Sequence, residues 1–259
     1  MRRGWLSDCP GLEKSEALDG SISLDDNMVI RFTLGDSGMR ALYLYGGWPG
    51  HIPYEVAGEW GMPILSDLGF EVEQTQDPFR LEDSLEEFDL IVIGWTQALT
   101  TEDLTPKQEE NLLRAVSAGT GLAGYHGMAA SFRASLQYSF LVGGSFIEHP
   151  GGEAGRVPYD VTIVDTEHEI TQGVGDFRVA TEQYYMECDP NNHVLAETVF
   201  RGDHLPWIDG YRMPVAWTKT WGEGRVFYCA IGHFLEDLQN PDNTRLMRQG
   251  FEWASRARH

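Results

Sequence analysis

The sequence predicts an α/β fold in which a parallel sheet, covered by helices on both faces, continues into an antiparallel extension. Two observations carry this. From Met39 to about residue 141, short apolar runs alternate with helix-like segments over short connections, the pattern that right-handed crossovers turn into a parallel sheet. Beyond residue 157, strand-like runs follow one another with only turns between them, and Trp221-Gly222-Glu223-Gly224 reads as a hairpin between the last two.

The elements follow in order. Ala41–Tyr45 is a strand, and Tyr54–Leu68 a helix ended by Gly69. Phe70–Glu73 is the second strand and Leu90–Ile93 the third, closed by Gly94. Thr105-Pro106-Lys107-Gln108 combines a capping residue with a first-turn proline, so it opens a helix that runs to Ala118 and stops at Gly119. Leu122–Tyr125 is the fourth strand and Ser131–Leu141 the next helix. Pro158–Val164, Phe177–Thr181, Val194–Thr198, Pro214–Thr220 and Arg225–Ile231 are the later strands, and Asn243–Ala254 is a terminal helix. Residues 1–38 differ. Leu12–Asp26 is polar and acidic without a sustained period, Val29–Phe32 is at best a short strand, and Gly35-Asp36-Ser37-Gly38 is a break. This stretch reads as an ordered arm, a tail, or sequence upstream of a start at Met39, and the domain is expected over 39–259.

Composition narrows the function. With 259 residues, 42% of them hydrophobic, the chain can bury a core without disulfides. A net charge of −21 argues against nucleic acid and against an anionic membrane, both of which select a basic footprint. Cys9, Cys188 and Cys229 form no CxxC pair, so neither a disulfide framework nor a thiolate zinc knuckle is supported. No apolar run approaches the roughly 18 residues of a membrane span, and Met1-Arg2-Arg3 is not followed by a signal-peptide core, so a cytoplasmic protein is expected.

Three buried strands end in glycine and histidine. Ligands of open α/β sheets bind beyond the carboxyl ends of the strands, so these histidines suggest one shared site. His126 lies in the elbow-like Gly124-Tyr125-His126-Gly127, where it can serve as base, acid or metal ligand, or simply as a hydrogen-bonded loop residue. His233 follows Gly232, with Glu236 and Asp237 just beyond. Those acids read either as partners of the histidine or as first-turn acids of a helix. Thr181-Glu182-Gln183-Tyr184 sets a carboxylate, Glu182, beside a phenol, Tyr184, suited to acid/base work and substrate orientation.

Three residues are candidates for binding substrate. His149 sits in the glycine-rich loop Gly143–Gly152, which lacks the patterns of phosphate binding, so no nucleotide cofactor is expected. His51 follows Gly46-Gly47-Trp48-Pro49-Gly50. Trp95 stands directly after the Gly94 strand end. It is the better sugar platform among Trp48, Trp95, Trp207, Trp217 and Trp221, all of which fall near these strand ends and loops. Trp217 reads as core. His168, His193 and His204 read as surface residues.

Taken together, Asp89–Trp95, Leu104–Gly127, Gly143–His149, Glu167–Ile170, Thr181–Tyr184, Pro214–Trp217 and Gly222–His233 resemble the trehalose-utilisation (ThuA-like) family of the class I glutamine amidotransferase-like superfamily. The resemblance covers about residues 40–257. It implies a flavodoxin-like three-layer sandwich, a role in sugar metabolism, and assembly as a homo-oligomer. His126 occupies the elbow position of the amidotransferase cysteine, so glutamine hydrolysis is not expected, and His233 resembles the triad histidine. Where the family commonly carries an acidic pair before the tyrosine, this chain has Thr181-Glu182.

The leading expectation is an enzyme, a carbohydrate-active isomerase, lyase or hydrolase, acting on a sugar or keto-glycoside. His126, His233 and Glu182 serve as acid/base groups or as ligands of a divalent metal, and Tyr184 orients substrate. Imidazole and carboxylate donors suit zinc or another first-row metal. A keto sugar has acidic protons beside its carbonyl, so a base with a Lewis acid can drive isomerisation or elimination. The alternative is a noncatalytic sugar-binding or assembly protein on the same fold.

Overall fold

The computed structural model describes residues 31–32, 38–48, 60–96, 103–151 and 155–255. Among these residues the main sheet has ten strands. In chain order these are β1 (Arg31–Phe32), β2 (Arg40–Gly47), β3 (Glu71–Thr75), β4 (Leu90–Thr96), β5 (Gly121–Tyr125), β7 (Val157–Ile163), β8 (Phe177–Thr181), β10 (His193–Val199), β11 (Arg212–Trp221) and β12 (Gly224–Cys229). Across the sheet the order is β1-β3-β2-β4-β5-β12-β11-β10-β7-β8. The run from β3 to β12 is parallel, and every pairing from β12 to β8 is antiparallel. A separate ribbon pairs β6 (Gly144–Glu148) with β9 (Tyr185–Cys188).

Helices cover both faces because alternate strand residues point to opposite sides. Tyr43, Val92, Tyr125 and Phe227 face one core, closed by α1 (Met62–Asp67) and α4 (Pro241–Ala254) through Leu65, Leu246 and Phe251. Leu42, Leu44, Ile91, Ile93, Leu122 and Tyr228 face the other, closed by α2 (Pro106–Ser117) and α3 (Leu136–Val142) through Leu112, Val116, Leu141 and Val142. The start of α2 is the expected one: Thr105 Oγ1 accepts from the Gln108 backbone N–H, and Gln108 Oε1 accepts from the Thr105 N–H. Thr105→Ala is expected to cost about 1 kcal/mol, read as a lower urea midpoint with an unchanged slope.

Three expectations need correction. The helix expected over Ser131–Leu141 begins only at Leu136. A 3-10 turn occupies His126–Ala130, Phe132 takes φ +50, and Ser135 caps the Tyr138 N–H. The loop expected over Gly143–Gly152 is β6 for Gly144–Glu148, because its Ser-Phe-Ile centre finds a partner in β9. That partner, Tyr185–Cys188, is a strand the sequence reading does not include. Of the helix expected over Tyr54–Leu68, residues 54–59 lie outside the described residues.

The antiparallel extension curls. His126 follows β5 directly and Glu182 follows β8 directly, and five strand spacings separate these strands, about 24 Å in a flat sheet. Yet His126 Nε2 and Glu182 Oε2 are 3.4 Å apart. Strand twist bends the sheet back on itself, and the register irregularities at Val194–Glu197 in the β10–β11 pairing add to it. Four antiparallel steps also leave β8 running in the same direction as β12, so both end at one edge.

Candidate functional site

At that edge the chain leaves β5 through His126, whose φ of +45 is rare for a residue with a side chain. The bend places the ring beneath the next segments, where it is 2% exposed. The Tyr228 hydroxyl donates to the His126 carbonyl at 2.8 Å and fixes the bend. His126 Nδ1 lies 3.2 Å from the Ala230 carbonyl oxygen. A carbonyl only accepts, so Nδ1 carries the proton and Nε2 presents its lone pair to the site.

Around that lone pair three distant segments meet. His126 Nε2 is 3.3 Å from His233 Nδ1, 3.1 Å from the Tyr184 hydroxyl and 3.4 Å from Glu182 Oε2. His233 Nδ1 is 3.3 Å from Glu182 Oε1, and His149 Nε2 is 3.6 Å from the same oxygen. The Glu182 and His233 side chains are 10% exposed, whereas His149 is 40% exposed. The site is therefore a buried centre with one half-open imidazole at its mouth. Phe146, which the sequence reading passes over, packs on both Tyr184 and His149, at 4.5 and 5.8 Å between ring centres. Its place in the run that carries His149 is the signal that could have singled it out.

Burial sets the protonation of two groups. Desolvation, reinforced by the Glu182 charge and by Tyr159, pushes the Tyr184 hydroxyl well above the usual tyrosine range against the opposing charge of Arg133. Tyr184 therefore enters the site as a hydrogen-bond donor. Burial also raises the Asp237 carboxyl, against the Thr181 hydroxyl, the Phe234 N–H and the charges of His233 and Arg156. Asp237 accepts from the Phe234 N–H at 2.9 Å, so the first-turn reading holds for it.

The remaining candidates separate. His51 lies outside the described residues. Trp95 is at the same sheet edge, its ring packed beside Gly46 and Gly47. Trp221 does not belong with it: it pairs with Gly224, the first residue of β12, and so sits at the opposite edge. Trp217 is fully buried and donates from Nε1 to the Val142 carbonyl, and Trp207 is 79% exposed on a short 3-10 turn.

The donor set suits a small divalent cation. One atom each from His126, Glu182 and His233 lies within 4.8 Å of the others. Donors bound at about 2.0–2.2 Å in tetrahedral geometry stand roughly 3.3–3.6 Å apart; the two imidazole nitrogens are 3.3 Å apart, and each lies 3.3–3.4 Å from a different Glu182 oxygen. The Ala230 carbonyl also supplies the outer hydrogen bond that metal-binding imidazoles use.

Residues 40–254 match the ThuA family, described as trehalose utilisation. The chain belongs to the ThuA family. A ThuA-like protein from Parabacteroides merdae shares its fold with a TM-score of 0.67 at 19% identity, over 84% of this chain and 90% of that one. One from Bacteroides uniformis gives 0.64 at 20% identity, over 86% and 94%. A β-galactosidase from Bacillus circulans sp. alkalophilus gives 0.54 at 12% identity, over 84% of this chain but only 30% of that one. The ThuA architecture thus recurs as a part of a larger enzyme. No curated protein matches the sequence. Among the described residues, no helix is long and apolar enough to cross a membrane.

Proposed function

We propose that this ThuA-family protein is a carbohydrate-active enzyme that acts on a sugar or keto-glycoside at the His126–Glu182–His233 centre, with a divalent metal held there. The observation that carries the reading is the convergence of two imidazoles and a carboxylate from segments 107 and 56 residues or so apart into one buried cluster. Family membership supports a sugar as substrate. His126 Nε2, His233 Nδ1 and Glu182 would hold the cation, which would supply Lewis acidity toward a substrate carbonyl.

The chain's own groups do the rest. Tyr184, kept protonated, donates a hydrogen bond to a substrate oxygen and orients the ring. With the histidines and one Glu182 oxygen committed to the cation, the other Glu182 oxygen would move the proton on the carbon beside the carbonyl, the step common to isomerisation and elimination. His149, the exposed member, contacts the substrate at the mouth. Thioester chemistry has no support from the two cysteines in the described residues. Cys229 is fully buried with its thiol pushed up to about 12, and Cys188 is pushed up to about 11, both by desolvation.

Metal analysis of the purified protein beside a His126→Ala/His233→Ala double variant tests the reading. Near-stoichiometric metal in the natural chain, lost in the variant, is the expected result, with turnover of a keto-disaccharide that depends on the metal. Absence of metal and of turnover in both would replace this reading with that of a sugar-binding protein.

A further inference from the structure

Glu182 is touched from both ends of the connection between β6 and β7. His149 approaches Oε1 from one end, and Gly155 lies against the side chain from the other. The ladder explains this second contact. Val157 pairs with Thr181, so continuing the antiparallel register sets Arg156 opposite Glu182 and brings its neighbour Gly155 past that side chain. Arg156 anchors it there: its guanidinium lies 3.6 Å over the Phe234 ring, and that ring is 4.3 Å from the His233 ring.

Gly155 has φ +73, and a Cβ placed on it would stand 2.9 Å from Glu182 Cγ and 3.2 Å from Oε1. Carbon atoms pack comfortably at about 3.5–4.0 Å, so any side chain at 155 collides with the stem of the carboxylate. We propose that Gly155 is a positioning residue: its missing side chain lets the backbone close on Glu182 and sets where the carboxylate points. This rests on the reading of Glu182 as a working member of the centre. The loop-borne glycine, rather than the strand that precedes Glu182, then decides whether Oε1 reaches His233.

The molecule supplies its own control. Gly210 has φ +75, but a Cβ there meets nothing within 4 Å. Gly210→Ala therefore reports backbone strain alone, whereas Gly155→Ala adds the collision. Two measurements on the full chain separate them. Zinc affinity, measured against a chromophoric chelator, is expected to fall at least tenfold in Gly155→Ala and to stay at the natural value in Gly210→Ala. In metal-free protein, Gly155→Ala is expected to lower Tm more than Gly210→Ala does, and Glu182→Ala in the same chain is expected to remove the excess. If Gly155→Ala alone fails to fold, recovery of folding in the double variant is the same result. Equal effects of the two alanines, or an excess that persists without the Glu182 side chain, overturn the proposal. Should the natural chain bind no zinc, the metal reading fails, and the thermal comparison still decides the role of Gly155.

Discussion

Replacing Glu182 by glutamine is expected to reduce zinc affinity by at least about 100-fold, beyond what the loss of an outer partner of a metal ligand costs, while the fold survives. The two side chains have the same shape, so the packing around residue 182 changes little. What changes is charge. Two imidazoles offer no negative charge, and an amide placed between His233 Nδ1 and His149 Nε2 adds none. The carboxylate oxygens, 3.3 Å from His233 and 3.4 Å from His126, are the one anionic contribution among the three donors. Chelator competition with circular dichroism on the same samples checks both halves. Unchanged affinity would remove Glu182 from the centre.

The second large effect concerns stability. The Lys219 side chain is 3% exposed, and its ammonium pairs with Asp189 Oδ2, donates to the Phe140 carbonyl and lies 4.0 Å from the Phe140 ring centre. Lys219→Met is expected to cost about 2–4 kcal/mol, somewhat under the full cost of an uncompensated buried charge because Asp189, at 13% exposure, can recruit water. The pH dependence has a definite sign. Lys219, with help from the Asn191 N–H, holds the Asp189 carboxyl below the usual carboxylate range. A depressed folded value contributes stability above the unfolded pKa of about 3.9, and that contribution is lost as pH falls through the folded value. Urea unfolding from pH 7 downward should therefore show natural chain and variant furthest apart near neutrality and converging in acid. A gap independent of pH would assign the loss to packing.

The legible parts of this molecule were those written in local sequence. A histidine beside a glycine at the end of an apolar strand announces an edge position, and both His126 (before Gly127) and His233 (after Gly232) stand there. The cap at Thr105 and the hairpin at Gly222 are equally local. Glu182 and Tyr184 could be proposed as chemistry-bearing residues, but their meeting with His126 depends on the curl of five strand pairings, to which no single segment contributes a pattern. The same holds for Gly155, where only the contact with Glu182 distinguishes it from an ordinary turn glycine. Tryptophans misled for a related reason. Trp221 and Trp95 both follow apolar strands, yet the antiparallel hairpin sends Trp221 to the far edge.

The curl turns the centre into a checksum on strand pairing. A slip by one residue at any of the four ladders between β12 and β8 would shift Glu182 by about 3.3 Å and turn its side chain to the other face. Either displacement is as large as the separations that define the cluster. Selection on the chemistry of one carboxylate therefore reaches, through the backbone, every hydrogen-bonded rung of the extension. Changes that leave each strand comfortable by itself can still be read as errors at its far end.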